Sequence, residues 1–102
     1  MSFGMELEPP RSKAEEDVRQ ERKRQDAKWG EQNHDPLLYL AVLMEEVGEC
    51  TQAALHLRFG GSQAPYVRDE AVQAAAVALA IIECLDRGKW AWPIDKNNPE
   101  LP

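Results

Sequence analysis

The chain has 102 residues, 43% of them hydrophobic, and a formal net charge of -6 at pH 7. This length predicts one domain, with a core that is thin for a lone monomer. The acidic balance argues against a nucleic acid polymer as partner, because neutralising phosphates requires a surplus of Lys and Arg.

Membrane insertion and secretion are also disfavoured. Each apolar run falls short of the ~20 residues that a membrane span requires, so we expect no membrane partner. The first ten residues lack the apolar stretch of a signal peptide. Cys50 and Cys84 lie in predicted helices without a Cys-x-x-Cys motif. We therefore expect free thiols in a reducing, cytoplasmic setting.

The first predicted helix follows a flexible leader, residues 1–11, that contains two prolines. Ser12 and Glu15 have the spacing of a capping box, and helical propensity continues to about Trp29. This segment is densely charged and has few apolar residues. We expect it to lie on the surface or to pack through its end, where Trp29 is the anchor.

The second predicted helix begins at Asp35-Pro36, a favourable cap followed by a favourable first residue, and ends at about Arg58 before two glycines. Its apolar positions have the alternating spacing of three and four residues that is typical of an amphipathic helix. These positions are Leu40, Leu43, Met44, Val47, Thr51, Ala54 and Leu55.

The third predicted helix runs from about Tyr66 to Asp86, and Gly88 is its stop signal. It is apolar nearly all round, as expected of a central helix that contacts its own chain and a partner subunit. The fold class is therefore all-α: a bundle of three main helices over residues 12–89, assembled as a homodimer or a dimer of dimers. We expect residues 90–102 to form an irregular C-terminal tail.

Three carboxylates stand out within the second helix. Glu49 is one helical turn from both Glu45 and Glu46, so the three side chains are neighbours. Grouped carboxylates repel one another, and a hard divalent cation such as Mg²⁺ makes the group favourable. A solvated acidic stripe is the other interpretation. Glu70 opens the third helix, and reaching Glu49 from there requires a stagger between the helices or a long excursion of the loop.

The motif Glu45-Glu46-x-x-Glu49, followed by an acid that opens an Ala-rich helix, resembles the signature of the all-α nucleoside triphosphate pyrophosphohydrolases, the MazG-like group. The upstream segment around Lys28-Trp29-Gly30 is also similar to MazG-like proteins. The resemblance covers roughly residues 16–89. It implies hydrolysis of a nucleoside triphosphate to the monophosphate and pyrophosphate, with Mg²⁺, or Mn²⁺ as a substitute.

Carried over by position, the resemblance implies that Glu45, Glu49 and Glu70 bind the metal, while Glu46 orients or deprotonates the attacking water. Gln73 stands where the family usually has Asp. An amide oxygen can still bind Mg²⁺ but brings no negative charge. This departure leaves open a second hypothesis, a non-catalytic relative that binds nucleotides or proteins.

Candidate substrate-binding residues lie upstream of the acids. Trp29 could stack on a nucleobase or pin the first helix, and Lys28 and Arg24 could meet triphosphate oxygens or lie on a solvated face. Asn33 could read the edge of a base, but its position suits an ordinary turn residue equally well.

Overall fold

The computed structural model describes residues 9–90, and over that range every regular element is helical. Three α-helices follow one another: α1 is Lys13–Trp29, α2 is Pro36–Phe59 and α3 is Val67–Arg87. A short 3₁₀ turn, Ala64–Tyr66, precedes α3. The predicted all-α fold of three main helices is confirmed. The ends of the predicted leader and tail, residues 1–8 and 91–102, lie outside the described range.

Local sequence chemistry sets where the helices begin. The Ser12 hydroxyl accepts a hydrogen bond from the Glu15 backbone N–H at 3.1 Å, and the Glu15 carboxylate accepts one from the Ser12 backbone N–H. The Asp35 side chain likewise accepts from the Leu38 N–H at 3.0 Å, with Pro36 in the first turn. These caps satisfy backbone donors that have no partner inside the helix, as the sequence predicted.

Helix α3 is the centre of the fold, because α1 and α2 both pack on it. The hydrophobic core is small and comes mostly from this helix. It consists of Tyr39, Val77, Ala80, Ile81 and Cys84, with Val42, Leu43 and Trp90 packed partly against it. No side chain larger than Cys84 is fully buried in the described residues. Within the described helices and the 3₁₀ turn, none is long and apolar enough to cross a membrane.

Helix α1 is attached to α3 by a buried arginine. Arg22 donates to the Glu83 carboxylate of α3 at 2.8 Å and to Asp26, one turn along α1, at 3.0 Å. Trp29, the expected anchor, is instead 55% exposed. A guanidinium can make several directed hydrogen bonds while its methylene stem packs on apolar neighbours. Because α1 has few apolar residues, hydrogen bonds and stem packing by Arg22 attach it to α3 better than one aromatic ring at its end would.

Helix α2 turns a different face to the core than its spacing pattern suggested. Tyr39 and Ala53 are its buried residues, whereas Leu40, Met44 and Leu55 are about half exposed or more. Much of the predicted apolar stripe therefore faces away from α3. The helix is apolar on both sides, and a three-and-four spacing fits either side equally well, so periodicity alone cannot choose between them.

The attachment of α1 gives a stability prediction. Arg22→Ala removes the charged hydrogen bonds to Glu83 and Asp26, and we expect it to lower the free energy of unfolding by about 1–2 kcal/mol. Chemical denaturation measures this difference. Lys23→Ala changes the adjacent exposed residue and should leave stability nearly unchanged. Equal losses in the two variants would contradict the anchoring role of Arg22.

Candidate metal-binding site

Three carboxylates from two helices meet in one group. Glu46, Glu49 and Glu70 each place one carboxylate oxygen within 4.8 Å of the others. Glu46 and Glu49 are neighbours on α2 because they are three residues apart. Glu70 comes from the first turn of α3. We refer to these three residues as the acidic group.

The loop between the helices explains how Glu70 reaches the middle of α2. After Phe59 the chain turns back along the end of α2, and the 3₁₀ turn packs on that helix. Consequently, the Val67 carbonyl oxygen at the start of α3 lies 3.9 Å from the Cys50 sulfur. Glu70, one turn further along α3, thus lies beside Glu46 and Glu49. The loop excursion that the sequence left open is therefore present.

Two residues hold this returning loop in place. The Gln63 backbone N–H donates to His56 Nδ1 at 3.0 Å, which ties the loop to α2. Gly61 lies directly against the His56 ring, and a Cβ atom there would overlap it. Gly61 also has a φ of 152°, which side-chain-bearing residues rarely adopt. This contact of His56 could not be predicted from the sequence, because its partner, Gln63, is seven positions along the chain and beyond the end of the helix.

The electrostatics of the acidic group are unfavourable in the absence of a cation. Burial raises the pKa of Glu46, and the charges of Glu49 and Glu70 raise it further. Burial also raises the pKa of Glu70, with Glu49 next in importance. Among the described residues, Oε2 of Glu46 and Oε2 of Glu70 are shielded from solvent and have no hydrogen-bond partner. Solvent-shielded oxygens without donors, together with an all-carboxylate set, fit a hard divalent cation.

The acidic group does not include every residue that the sequence singled out. Glu45 is exposed and lies outside it, because one residue along a helix is a rotation of about 100° and turns this side chain away from Glu46. Glu46, expected to act on water, is one of the three acids whose oxygens converge. Gln73 is half-buried and lines a cavity of about 100 Å³ together with Glu46.

The expected substrate-binding residues are divided between two cavities. Trp29 lines the same small cavity as Glu46 and Gln73, and the Lys28 ammonium lies 4.8 Å from the centre of its ring. Arg24 lines an open groove of about 480 Å³ between α1 and α3, and Gln73 is also in its wall. Of these two cavities, the groove is the one whose volume is in the range typical of a site for a small-molecule ligand, ~300–1,000 Å³.

Asn33 is engaged in contacts that stabilise the turn between α1 and α2. Its side-chain oxygen accepts a hydrogen bond from Arg87 at 2.9 Å, and its amide donates to Glu31 at 3.0 Å. Arg87 also donates to the Gln32 carbonyl at 2.9 Å. These contacts correspond to the turn-residue interpretation of Asn33. To bind the edge of a base, the Asn33 amide would have to give up its hydrogen bonds with Arg87 and Glu31.

Two further charged residues, for which the sequence predicted no role at the site, border it. Glu21 of α1 forms an ion pair with Arg24, and its charge adds to the raised pKa of Glu46 after burial, Glu49 and Glu70. Arg68 of α3 lines the open groove and pairs with Asp17 at 2.8 Å. An i,i+3 pair such as Glu21 and Arg24 is common on exposed helices, so its spacing gave no signal of proximity to α2.

No family model matches the chain, and neither a curated protein nor a solved structure matches it.

The raised pKa values give a prediction for stability against pH. In metal-free buffer, a folded pKa above the usual 4.5 means that protonation favours the folded state. The contribution is fully present below that value and is lost as pH rises through the raised pKa values. Glu46→Gln removes one titrating group. We expect this variant to unfold at a higher temperature than the unmodified chain near pH 7.

Melting temperatures across the acidic to neutral range measure this effect, with Glu45→Gln as the matched control. That variant makes the same chemical change one position earlier, at an exposed residue outside the acidic group. If Glu46→Gln and Glu45→Gln raised the melting temperature equally near pH 7, crowding of charge at Glu46 would not be the cause.

Proposed function

We propose that the protein is a Mg²⁺-dependent hydrolase that cleaves a nucleoside triphosphate to the monophosphate and pyrophosphate. The observation that carries this proposal is the acidic group, in which two solvent-shielded carboxylate oxygens lack a partner among the described residues. The resemblance of Glu45-Glu46-x-x-Glu49 and of the Lys28-Trp29-Gly30 segment to MazG-like proteins supports the reaction type.

In this proposal Glu46, Glu49 and Glu70 hold the metal, because they are the acids whose oxygens converge. A bound Mg²⁺ or Mn²⁺ supplies positive charge for phosphate oxygens and lowers the pKa of water. Glu46 is the member of the group that lines the small cavity, beside Gln73. We therefore propose that Glu46, besides contributing a ligand oxygen, orients or deprotonates the attacking water, while Glu49 and Glu70 serve as ligands only.

The open groove is the candidate position for the triphosphate. Arg24 and Arg68 line it, and guanidinium groups bind phosphate oxygens well. Both arginines are paired with acids, Arg24 with Glu21 and Arg68 with Asp17. In this proposal a phosphate oxygen therefore replaces Glu21 or Asp17 as the partner of an arginine. The released carboxylate stays near the phosphates, and a cation bound to the substrate would offset the repulsion between them.

The base has a candidate partner at the end of α1. More than half of the Trp29 side chain is exposed, and Lys28 covers part of its ring. The exposed part can stack on a nucleobase. Self-association as a homodimer or a dimer of dimers, and a cytoplasmic setting that suits the unpaired Cys50 and Cys84, belong to the same proposal.

A second candidate function is a non-catalytic nucleotide-binding or interaction module. The observation that favours it is Gln73, an uncharged residue in the wall shared by the groove and the small cavity. Calorimetric titration with Mg²⁺ separates the two candidates. A hydrolase requires Mg²⁺ binding that is lost in Glu49→Gln, whereas a module with a degenerate site shows no binding.

The enzymatic proposal predicts pyrophosphate release that depends on the acidic group. We expect release from at least one nucleoside triphosphate in a panel of common and modified bases, and a loss of at least about tenfold in Glu49→Gln. A loss of a metal ligand removes transition-state stabilisation, and tenfold corresponds to ~1.4 kcal/mol. A coupled pyrophosphate assay with Mg²⁺ and with Mn²⁺ makes the measurement.

Glu45→Gln is the control for general loss of acidic charge on α2. It should retain most of the activity, since Glu45 lies outside the acidic group. Activity that survives in Glu49→Gln but disappears in Glu45→Gln would assign the metal to the other face of the helix. No release from any nucleotide above a background without protein would refute the hydrolase.

The position of Gln73 generates a separate prediction. Gln73→Asp adds a carboxylate beside the acidic group, and a hard cation binds more tightly as the ligand charge increases. We expect Mg²⁺ affinity to rise by about tenfold or more in calorimetry. Gln20→Asp adds the same charge on α1, outside the acidic group, and should leave the affinity nearly unchanged. Equal gains in both variants would indicate a general charge effect instead.

A further inference from the structure

The returning loop between α2 and α3 is folded around one residue, His56. The His56 backbone carbonyl accepts a hydrogen bond from the Gly60 N–H at 2.8 Å, and its ring nitrogen Nδ1 accepts one from the Gln63 N–H at 3.0 Å. Between these two bonds, Gly61 lies directly against the ring. His56 therefore contacts three of the four residues with which the chain leaves α2.

The loop connects this contact to Glu70 through a short helical stretch. The Gln63 carbonyl accepts a hydrogen bond from the Tyr66 N–H at 2.9 Å, within the 3₁₀ turn. Val67, the next residue, begins α3, and Glu70 is in the first turn of that helix. Because helical structure follows Gln63 without a break, a contact that holds Gln63 also holds Glu70 in the acidic group.

The hydrogen bond from Gln63 requires a neutral imidazole. Nδ1 accepts a hydrogen bond only while it carries no proton, because its lone pair is the acceptor. In the imidazolium form both ring nitrogens are donors, so turning the ring over restores no acceptor for the Gln63 N–H. Ordinary imidazoles gain their proton at about pH 6.5, within the physiological range. Protonation of His56 thus replaces a hydrogen bond by a contact between two donors.

The surroundings of His56 offer the protonated ring no compensating partner. No ion pair among the described residues involves His56. Arg58 lies over the Phe59 ring, and Arg68 pairs with Asp17 at 2.8 Å. Titratable and charged side chains within two turns on α2, in the 3₁₀ turn and in the first turn of α3 are Glu49, Cys50, Arg58, Tyr66, Arg68, Asp69 and Glu70.

We propose that His56 is a protonation-sensitive latch for the acidic group. The neutral ring holds the returning loop, whereas protonation releases Gln63 and allows Glu70 to leave the acidic group. His56 is a positioning residue, since it acts on Glu70 through the loop. The consequence for cation binding rests on the metal site of the proposed function, but the latch itself requires no cation.

Lower pH also acts on the acidic group directly. Protonation of Glu46 and Glu70 relieves their repulsion in metal-free buffer and removes ligand charge when a cation is present. A test of the latch therefore compares chains that have the same carboxylates. His56→Asn meets this requirement. The Asn side-chain oxygen is as many bonds from Cα as Nδ1 of His, and it accepts a hydrogen bond without titrating.

The first test measures the latch without metal. Protection of the Gln63 amide against hydrogen exchange, relative to an unstructured peptide, reports its bond to His56. From about pH 7.5 to about pH 5.5 we expect this protection to fall about fivefold in the unmodified chain, because most ordinary imidazoles are protonated at the lower value. In His56→Asn it should change by less than about twofold. Equal pH dependence in the two chains would overturn the latch.

The second test measures the effect on the cation. Calorimetry at the same two pH values should show that Mg²⁺ affinity falls at least about threefold more in the unmodified chain than in His56→Asn. The same fall in both chains would overturn the coupling between the latch and the acidic group. Absence of Mg²⁺ binding in every chain would instead refute the proposed metal site, and the exchange measurement would still decide the latch.

Gln63→Pro is a second variant that removes the bond from the other side. Proline lacks the N–H donor, and the Gln63 φ of -86° is close to the value that proline requires. His56 then titrates without a bond to lose. The pH dependence of Mg²⁺ affinity should match that of His56→Asn. If Gln63→Pro kept the larger dependence of the unmodified chain, the bond would not be its cause and the proposal would be overturned.

Discussion

The position of the acidic group depends on the returning loop between α2 and α3. With a tight turn at Phe59, Glu70 would lie near the C-terminal end of α2, far from Glu46 and Glu49. The loop instead carries the chain back until Val67 lies beside Cys50. The hydrogen bond from Gln63 to His56 and the close packing of Gly61 on the His56 ring fix that path. The path of this loop thus brings Glu70 to Glu46 and Glu49 and forms the acidic group.

Without a bound cation, the acidic group lowers the stability of the folded chain at neutral pH. Burial and mutual repulsion raise the pKa values of Glu46 and Glu70, and both carboxylates retain a shielded oxygen without a donor among the described residues. Natural sequences violate the rules of stable packing mainly at functional sites. A cation would convert the same arrangement from a cost into a stabilising contact, since binding to the folded state alone adds to its stability.

The outer surface of α2 is a second departure from the rules of stable packing. This helix contributes Tyr39 and Ala53 to the interior, yet its outer side is nearly as apolar. The acidic group and this outer side are on different faces of one helix.

The sequence determined the features that depend on residues close together in the chain. Ser12, Glu15 and Asp35 set the starts of α1 and α2, because capping involves neighbours within one turn. The all-α fold, the central position of α3 and the grouping of Glu46 with Glu49 followed from helical spacing in the same way. The tertiary structure alone decided that Glu70 joins that group and Glu45 does not, that Arg22 rather than Trp29 anchors α1, and which apolar side of α2 faces inward. Those outcomes depend on the path of the returning loop and on how the helices pack, and neither is contained in the period of a helix.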